Sequence, residues 1–374
     1  MKWATKGMSI LLMVSLTTGC ISTQTTADKQ ADVPELKEAL AGDLVFVNQE
    51  GYLPGAPKFA VIPSEKANSF QLIKLSTREV VYSGNLSDPI KDENSGDTLR
   101  HADFSEFNEE GQYIVYVEGV GESFPFRIAK NVYEMAFLHS FRTYTLQRSA
   151  TNINDPFTGV QFSGGHFKDE TAQMFFSDEF HEKDDVIDVM GGWYDAGDFG
   201  KYIPPAAITV GQLLLAHELN EKKFYQHQFH LPQSIVKSNG ELSDLLAEVK
   251  FELEWMEKMQ RPDGAVYHKV AGTGFPPMIL PEDDFQQRYV YGMSTYGTAM
   301  YAASMAMAAR VYAEVDQDFS DRMLNNALNA FNYLEAHPEP EFRVDPGQDE
   351  GSGPYDKVTD LEERFWAAAE LFKT

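Results

Sequence analysis

The sequence predicts a two-domain fold, an all-β sandwich followed by an all-α domain, and two observations carry this prediction. Between residues 44 and 128, short runs rich in β-branched and aromatic residues alternate with turn-forming residues. From Asn131 onwards, apolar residues instead recur at helical spacing. Several short strands separated by turn signals are typical of a sandwich, whereas a period of 3.6 residues indicates amphipathic helices.

The individual elements follow from the same patterns. The predicted strands are residues 44–47, 59–62, 70–75, 80–82, 112–118 and 123–128. The predicted helices are residues 132–149, 206–219, 242–259, 294–312, 322–337 and 361–372. Two long connections, 150–203 and 260–293, separate the helices. Connections of this length in a compact domain are usually binding or catalytic loops, so we expect the functional site there.

The N-terminus carries an export signal. Lys2 and Lys6 precede an apolar run, Met8 to Leu16, which is too short to span a bilayer as a permanent helix. The run leads to Cys20 and resembles a bacterial lipoprotein signal, with residues 1–19 as signal peptide and 20–42 as a polar tether. We therefore expect an exported protein lipidated on Cys20, in the outer membrane on its periplasmic or outer side. An ordinary secretory signal with a chance cysteine is the alternative.

Composition limits the partners. The chain of 374 residues has 57 acidic against 31 basic residues, a formal charge of −26. A field of this sign repels phosphate and anionic lipid, so we expect no nucleic acid partner and membrane contact only through the lipid anchor. A single cysteine can form neither an internal disulfide nor a thiolate zinc site. Aromatic residues make up 13% of the chain, which fits a protein that offers flat apolar surfaces to a ligand.

The most informative segment is Met190–Tyr202, MGGWYDAGDFGKY. Asp195 and Asp198 lie three residues apart, with glycines on both sides that permit a tight backbone path. Two neighbouring carboxylates repel each other, which raises the proton affinity of one while hydrogen bonds keep the other ionised. Such a pair beside the aromatic Trp193 and Tyr194 suits general base catalysis next to a sugar ring. A helix cap with a solvated turn is the commoner reading of two aspartates at this spacing.

The whole segment resembles the signature of glycoside hydrolase family 9, the inverting cellulases. Residues 47–54 are similar to the start of the immunoglobulin-like domain that precedes many of these catalytic domains, and 294–299 and 363–371 match later family helices. The resemblance implies an immunoglobulin-like sandwich at 43–130 and an (α/α)6 barrel, here incomplete, at 131–374. It also implies hydrolysis of β-1,4-glucosidic bonds in cellulose, β-glucan or cello-oligosaccharides.

The resemblance assigns site residues. Asp198 would be the general base that activates water, and Asp195 would help to hold that water. Trp193, Tyr194 and Tyr202 would bind the substrate, although burial in the core is the more frequent role for the first two aromatics.

A calcium ion is a further expectation. Ser352, Gly353, Glu362 and Glu363 look similar to a calcium site of some family members, and hard oxygen ligands suit this cation. The acidic segment 316–318 could add ligands. The alternative is that these acids are simply solvated, and the same holds for the acidic segment 282–284, which lies in a loop that could reach the substrate groove.

Inverting hydrolysis needs a second carboxyl group, an acid roughly 6.5–9.5 Å from the base. The resemblance places this acid, a Glu, further towards the C-terminus than Thr374. Glu362, Glu363 and Glu370 lie on a helix that matches a mid-domain segment of the family. We therefore expect a fragment of a longer enzyme, inactive or very weak as it stands. The alternatives are a non-catalytic glycan-binding lipoprotein, or a relative that acts on glucosamine-containing oligosaccharides.

Overall fold

The computed structural model describes residues 45–236, 240–343 and 351–374. The predicted signal peptide, the lipidation site Cys20 and the tether lie outside these residues, so export and lipidation stay predictions. The chain divides into two compact units. The first comprises residues 45–49 and 55–126, and the second comprises residues 50–54 and the described residues from 127 onwards.

The first unit is a β-sandwich, which confirms the predicted fold class of the N-terminal domain. Its strands are β1 (Phe59–Ile62), β2 (Ser69–Lys74), β3 (Val80–Asn85), β4 (Ile90–Lys91), β5 (Thr98–Asp103), β6 (Gly111–Val117) and β7 (Gly121–Glu122), and β8 (Phe126–Ile128) crosses the unit boundary. They form one sheet of order β1-β5-β4 and a second with the order β3-β2-β6-β7. Alternate side chains enter the core, as Phe70 and Leu72 do on β2 and Tyr113, Val115 and Val117 do on β6.

One strand prediction in this unit was wrong, and strands β4, β5 and β7 were not predicted. Residues 44–47 form no strand in their described part, where Phe46 makes only an isolated bridge to Val61. Strand β5 was missed because its residues, TLRHAD, show no apolar alternation. Antiparallel pairing with β1 on one side and β4 on the other supplies β5 with its backbone hydrogen bonds instead.

The second unit is built mainly from helices, and all six predicted helices are confirmed. The helices are α1 (Glu134–Leu146), α2 (Ile203–Asn220), α3 (Gln233–Val236), α4 (Asp244–Lys258), α5 (Thr295–Tyr312), α6 (Gln317–Ala336) and α7 (Leu361–Lys373). Helix α5 is buried on nearly all sides and packs against α2, α6 and α7, because its many alanines permit close approach. No helix among the described residues is long and apolar enough to cross a bilayer.

The long connections of the second unit form sheets, which the sequence did not predict. Their strands are β9 (Ile153–Asn154), β10 (Gln161–Phe162), β11 (Ala172–Met174), β12 (Val186–Ile187), β13 (Lys201–Tyr202), β14 (Tyr267–Ala271) and β15 (Tyr289–Met293). Strands β9 and β10 pair with each other, and the other five form a sheet of order β12-β11-β15-β14-β13. All residues of β14 are buried, including His268 and Lys269. A buried strand that carries polar side chains lacks the alternation from which strands are predicted.

Candidate active site

The segment predicted to be catalytic forms a tight loop before β13, which leads directly into α2. The Asp195 N–H donates to the Gly200 carbonyl at 2.9 Å, and the Gly200 N–H donates to Asp198 Oδ1 at 3.1 Å. Between them Phe199 adopts a left-handed conformation with a φ of 54°, which is uncommon for a residue with a side chain. The loop therefore holds both aspartates in one fixed arrangement.

Buried charged side chains hold the backbone of this loop in place. The Lys201 ammonium lies 2.7 Å from Asp169 Oδ2 and donates to the carbonyls of Val189 and Gly191 at 2.7 and 2.8 Å. Arg288 donates to the Phe199 carbonyl at 2.6 Å and to Asp169 Oδ1 at 3.1 Å. Because these cations hold backbone carbonyls on both sides of the aspartates, the unusual backbone path is imposed by the surrounding structure.

Burial and charge compete in this cluster. Burial lowers the pKa of Lys201 to about 8, against the attraction of Asp169. Burial by itself would raise the pKa of Asp169, but the charges of Lys201 and Arg288 outweigh it and hold that pKa below its usual value. Asp169 therefore remains the anion that pairs with both cations.

The two aspartates face a cleft of about 700 Å³. It is lined by Asp195, Ala196, Gly197, Asp198, Tyr202, Phe275, Pro276, Pro277, Met278, Gly353, Pro354 and Tyr355. The Tyr202 hydroxyl donates to Asp198 Oδ2 and accepts from the Gly353 N–H at 3.1 Å. The Tyr355 hydroxyl donates to Asp195 Oδ2 at 2.7 Å. Each carboxylate thus has its own phenol, and both phenols belong to the wall of the cleft.

Burial and a neighbouring charge change the proton affinity of Asp195. Partial burial of the carboxyl raises the pKa of Asp195, and the negative charge of Asp198 raises it further against the hydrogen bond from Tyr355. Burial and the bond to Asp195 raise the pKa of Tyr355 to about 12, so this phenol stays a donor at neutral pH.

Strand β14 positions the segment that carries Tyr355. Lys269 Nζ donates to the Gly353 carbonyl at 3.0 Å, and His268 Nε2 lies 2.8 Å from the Pro354 carbonyl. Gly351 packs so tightly against the backbone at Gly274 that an added Cβ would lie 2.4 Å from its nitrogen. Sequence reasoning missed Lys269, His268 and Tyr355 as site residues, because no local pattern links β14 to a segment more than 80 residues later.

His268 makes the stability of this arrangement depend on pH. Burial lowers the pKa of His268 to about 4, from 6.5 in an exposed histidine, because the folded protein disfavours the charged ring. Between pH 6.5 and 4 the unfolded chain therefore binds the proton and the folded chain does not, so folding stability falls as the pH falls. We expect His268 to account for a loss of about 3 kcal/mol between pH 7 and 4.

The measurement is urea unfolding of the wild type and His268→Gln at both pH values. A glutamine amide can still donate to the Pro354 carbonyl but has no proton to gain. The stability of the wild type relative to this variant should therefore decrease by about 3 kcal/mol on acidification. An unchanged difference at the two pH values would show that His268 is not responsible.

Two predicted substrate-binding aromatics are corrected by the structure. Trp193 is buried, its backbone N–H donates to Glu252 Oε2 at 2.6 Å and its indole N–H to Glu248 Oε1 at 2.8 Å. Tyr194 is also buried, and its hydroxyl lies 2.7 Å from His166 Nδ1. Neither residue lines the cleft. Both occupy the core because their polar atoms find protein partners there, whereas Tyr202 does reach the cleft.

The calcium prediction finds no support in the described residues. No group of three or more acidic, histidine or cysteine side chains converges there in a way that could hold a metal. Glu362 and Glu363 instead both pair with Lys357, whose ammonium supplies the positive charge. Asp316 caps α6 and pairs with Lys250 at 2.6 Å. Because no such group converges among the described residues, no step of the reaction is derived through this ion, and calcium binding stays a prediction.

The acidic segment 282–284 has a structural role at one position. Asp284 is buried and its Oδ2 lies 3.1 Å from His166 Nε2, while its Oδ1 accepts the Gln286 N–H at 3.2 Å. The hydrogen bond from His166 helps to hold the pKa of Asp284 below its usual value, against the effect of burial. Asp284 thus anchors the connection between β14 and β15, the same connection that supplies Phe275 to Met278 to the cleft.

A β-sandwich joined to a helical unit, with adjacent carboxylates in a cleft, is an arrangement that suits a modular glycoside hydrolase, and the family match shows that class. Residues 133–374 match the family described as glycosyl hydrolase family 9, and residues 41–122 match the cellulase N-terminal ig-like domain. The chain belongs to glycosyl hydrolase family 9. The predicted immunoglobulin-like sandwich followed by an (α/α)6-type catalytic domain is thereby confirmed.

Similar proteins carry related names. Endoglucanase D of Acetivibrio thermocellus is 33% identical over 332 residues, covering 88% of this chain and 51% of the relative. The cellodextrinase of Butyrivibrio fibrisolvens is 32% identical, covering 88% of this chain and 58% of the relative. The crystal structure of the family 9 endoglucanase J30 superposes with a TM-score of 0.84 at 50% identity, covering 86% of this chain and 60% of that one. The chain thus spans 51% to 60% of the length of these three proteins.

Proposed function

We propose that this chain takes part in the hydrolysis of β-1,4-glucosidic bonds, with Asp198 as the general base. The observation that carries the proposal is the arrangement of Asp198 in the cleft. The Gly200 N–H and the Tyr202 hydroxyl donate to its two oxygens and hold the carboxyl group in one orientation in the cleft. The names of the relatives, endoglucanase and cellodextrinase, support a β-1,4-glucan or its oligosaccharides as the substrate.

In the proposed reaction, Asp198 removes a proton from water as the water oxygen attacks the anomeric carbon. The bond from that carbon to the glycosidic oxygen breaks, the configuration inverts, and the departing oxygen needs a proton from an acid on the opposite side. Asp195, held by Tyr355, would accept a hydrogen bond from the attacking water and so fix its position. Among the described residues, Asp195 and Asp198 are the only carboxylates that line the cleft, so no described residue is assigned as the acid.

An activated substrate tests the base without requiring the acid. In 2,4-dinitrophenyl β-cellobioside the leaving phenolate is stable enough to depart unprotonated. We expect the purified chain to hydrolyse this compound and to release α-cellobiose, the inverted anomer, which proton NMR identifies before it mutarotates. Unactivated cellohexaose should show no measurable cleavage.

Two results would contradict the proposal, and a third would overturn only the expectation that unactivated cellohexaose is not cleaved. Release of the β-anomer would exclude an inverting base, and an inert activated substrate would exclude a functional base in this chain. Rapid cleavage of cellohexaose would instead show that an acid is present in it.

A further inference from the structure

The second unit contains another cavity, of about 460 Å³, which shares no lining residue with the cleft of the two aspartates. Three parts of the chain line it: the segment after α1, helix α4 and the segment before α6. They contribute Arg148 from the first, Lys250, Phe251 and Glu254 from the second, and Asp316 from the third. Pockets that bind small molecules usually enclose about 300–1,000 Å³, so this cavity has room for a small ligand.

The guanidinium group of Arg148 is fixed in the wall of this cavity. Its Nε and Nη2 donate to the two carboxylate oxygens of Glu248 at 2.9 and 3.0 Å, and its central carbon lies 4.1 Å from the centre of the Phe251 ring. Only 6% of the Arg148 side chain is exposed. Among the residues that the structure describes, Nη1 has no hydrogen-bond partner. Because the rest of the group is held, a ligand can accept from Nη1 without ordering the side chain.

The charges of the cavity favour a neutral ligand. Both lining cations are already neutralised, since Glu248 pairs with Arg148 and Asp316 pairs with Lys250 at 2.6 Å. An anionic ligand would therefore find no unneutralised positive charge and would face the carboxylate of Glu254. Glu254 is exposed, so solvent ions screen its charge and the ligand need not be a cation. The lining thus calls for an uncharged molecule that both accepts and donates hydrogen bonds.

We propose that this cavity is a second carbohydrate-binding site, which takes a mono- or disaccharide. A sugar ring is uncharged, its hydroxyl groups both accept and donate hydrogen bonds, and its faces carry C–H groups. A hydroxyl oxygen accepts from Arg148 Nη1 and a hydroxyl group donates to Glu254, while C–H groups contact Phe251 and Leu242 of the lining. The identity of the sugar rests on the proposed function, because hydrolysis of a β-1,4-glucan releases short glucosyl oligosaccharides such as cellobiose.

Isothermal titration calorimetry of the complete chain with cellobiose tests the site. Ala247 lines the cavity, so Ala247→Met places a longer side chain in it, whereas Glu254→Ala removes an acceptor without filling it. We expect Ala247→Met to bind about one equivalent of cellobiose fewer than the wild type, because the cavity is filled. Glu254→Ala should bind cellobiose at the cavity about tenfold more weakly, as expected for the loss of one hydrogen bond to a charged group.

Matched controls repeat the two substitutions elsewhere in the second unit. Ala368 on α7 and Glu335 on α6 are exposed and line neither the cavity nor the cleft. Ala368→Met and Glu335→Ala should bind cellobiose as the wild type does. Both cavity variants should hydrolyse 2,4-dinitrophenyl β-cellobioside at the wild-type rate, since neither Ala247 nor Glu254 lines the cleft.

Each contrary outcome identifies what has failed. Cellobiose binding that is unchanged in Glu254→Ala and in folded Ala247→Met would overturn the cavity site while leaving the proposed function intact. If circular dichroism showed Ala247→Met to be unfolded, Glu254→Ala alone would decide. Equal weakening in the control variants, or a cavity that binds the polyamine spermidine instead of cellobiose, would also overturn it. An inert activated substrate, with cellobiose binding lost only in the cavity variants, would contradict the proposed function alone.

Discussion

Replacing Asp198 by Asn is expected to lower the turnover of 2,4-dinitrophenyl β-cellobioside by about 10²- to 10⁴-fold, the usual contribution of a positioned general base. Asparagine keeps the shape of the side chain; its carbonyl oxygen can still accept from the Gly200 N–H, and its amide NH2 can donate to the Tyr202 hydroxyl oxygen in place of the bond that the aspartate accepts. It cannot take the proton from water. The loss should therefore appear in kcat, with KM changed by no more than about threefold, since binding contacts are retained. Initial rates over a range of substrate concentrations separate the two constants.

A small nucleophile that needs no deprotonation provides the decisive control. Azide should restore part of the activity of Asp198→Asn and give the α-glycosyl azide, because it replaces the activated water. Asp184→Asn is the matched variant, since Asp184 is exposed, does not line the cleft and has a φ of 68°, which asparagine also tolerates. It should behave as the wild type. If Asp198→Asn retained wild-type kcat, the role of Asp198 as base would be excluded.

The second large effect concerns stability. Lys201→Met is expected to reduce the free energy of unfolding by about 3–5 kcal/mol, the usual result of removing one partner of a buried ion pair. Lys201 and Asp169 are both completely buried and lie 2.7 Å apart. The substitution leaves Asp169 with Arg288 alone and removes the donor that serves the carbonyls of Val189 and Gly191. Methionine fills a similar volume, so the loss reflects the missing charge rather than a cavity.

Denaturant unfolding followed by tryptophan fluorescence reports on the second unit, which contains Lys201. All three tryptophans among the described residues, Trp193, Trp255 and Trp366, lie in the second unit. Lys258→Met is the matched control, because Lys258 pairs with the exposed Asp188 at 3.0 Å. An exposed pair contributes less than about 1 kcal/mol. If the two variants were destabilised equally, the buried ion-pair network would not be what stabilises the loop that carries Asp195 and Asp198.

The elements with regular periodicity could be predicted from sequence because side-chain spacing reports directly which face of an element is buried. The six long helices of the second unit and most strands of the sandwich belong to this class. Strands β5 and β14 do not. The backbone pairing of β5 and the complete burial of β14 depend on neighbours that are distant in sequence. Local spacing therefore carries no signal for them.

The candidate active site shows the same division between residues that local sequence predicts and residues that long-range packing places. A local segment of the chain was enough to predict Asp195 and Asp198 as candidate catalytic residues, because the glycines and the aspartate pair of this tight loop lie within one short stretch of sequence. The roles of the neighbouring aromatics were decided by tertiary structure. Trp193 and Tyr194 turn into the core, where Glu248, Glu252 and His166 satisfy their polar atoms.

The tertiary structure also decides which side chains form hydrogen bonds with the two carboxylates and which apolar residues line the cleft. Tyr355 binds Asp195 across 160 residues of sequence, and Phe275 to Met278 reach the cleft from another connection. Functional side chains that are close in sequence can be predicted from the sequence, since the backbone keeps those residues close together in the fold. Which side chains surround that chemistry depends on long-range packing, and only the folded chain brings them within hydrogen-bonding distance.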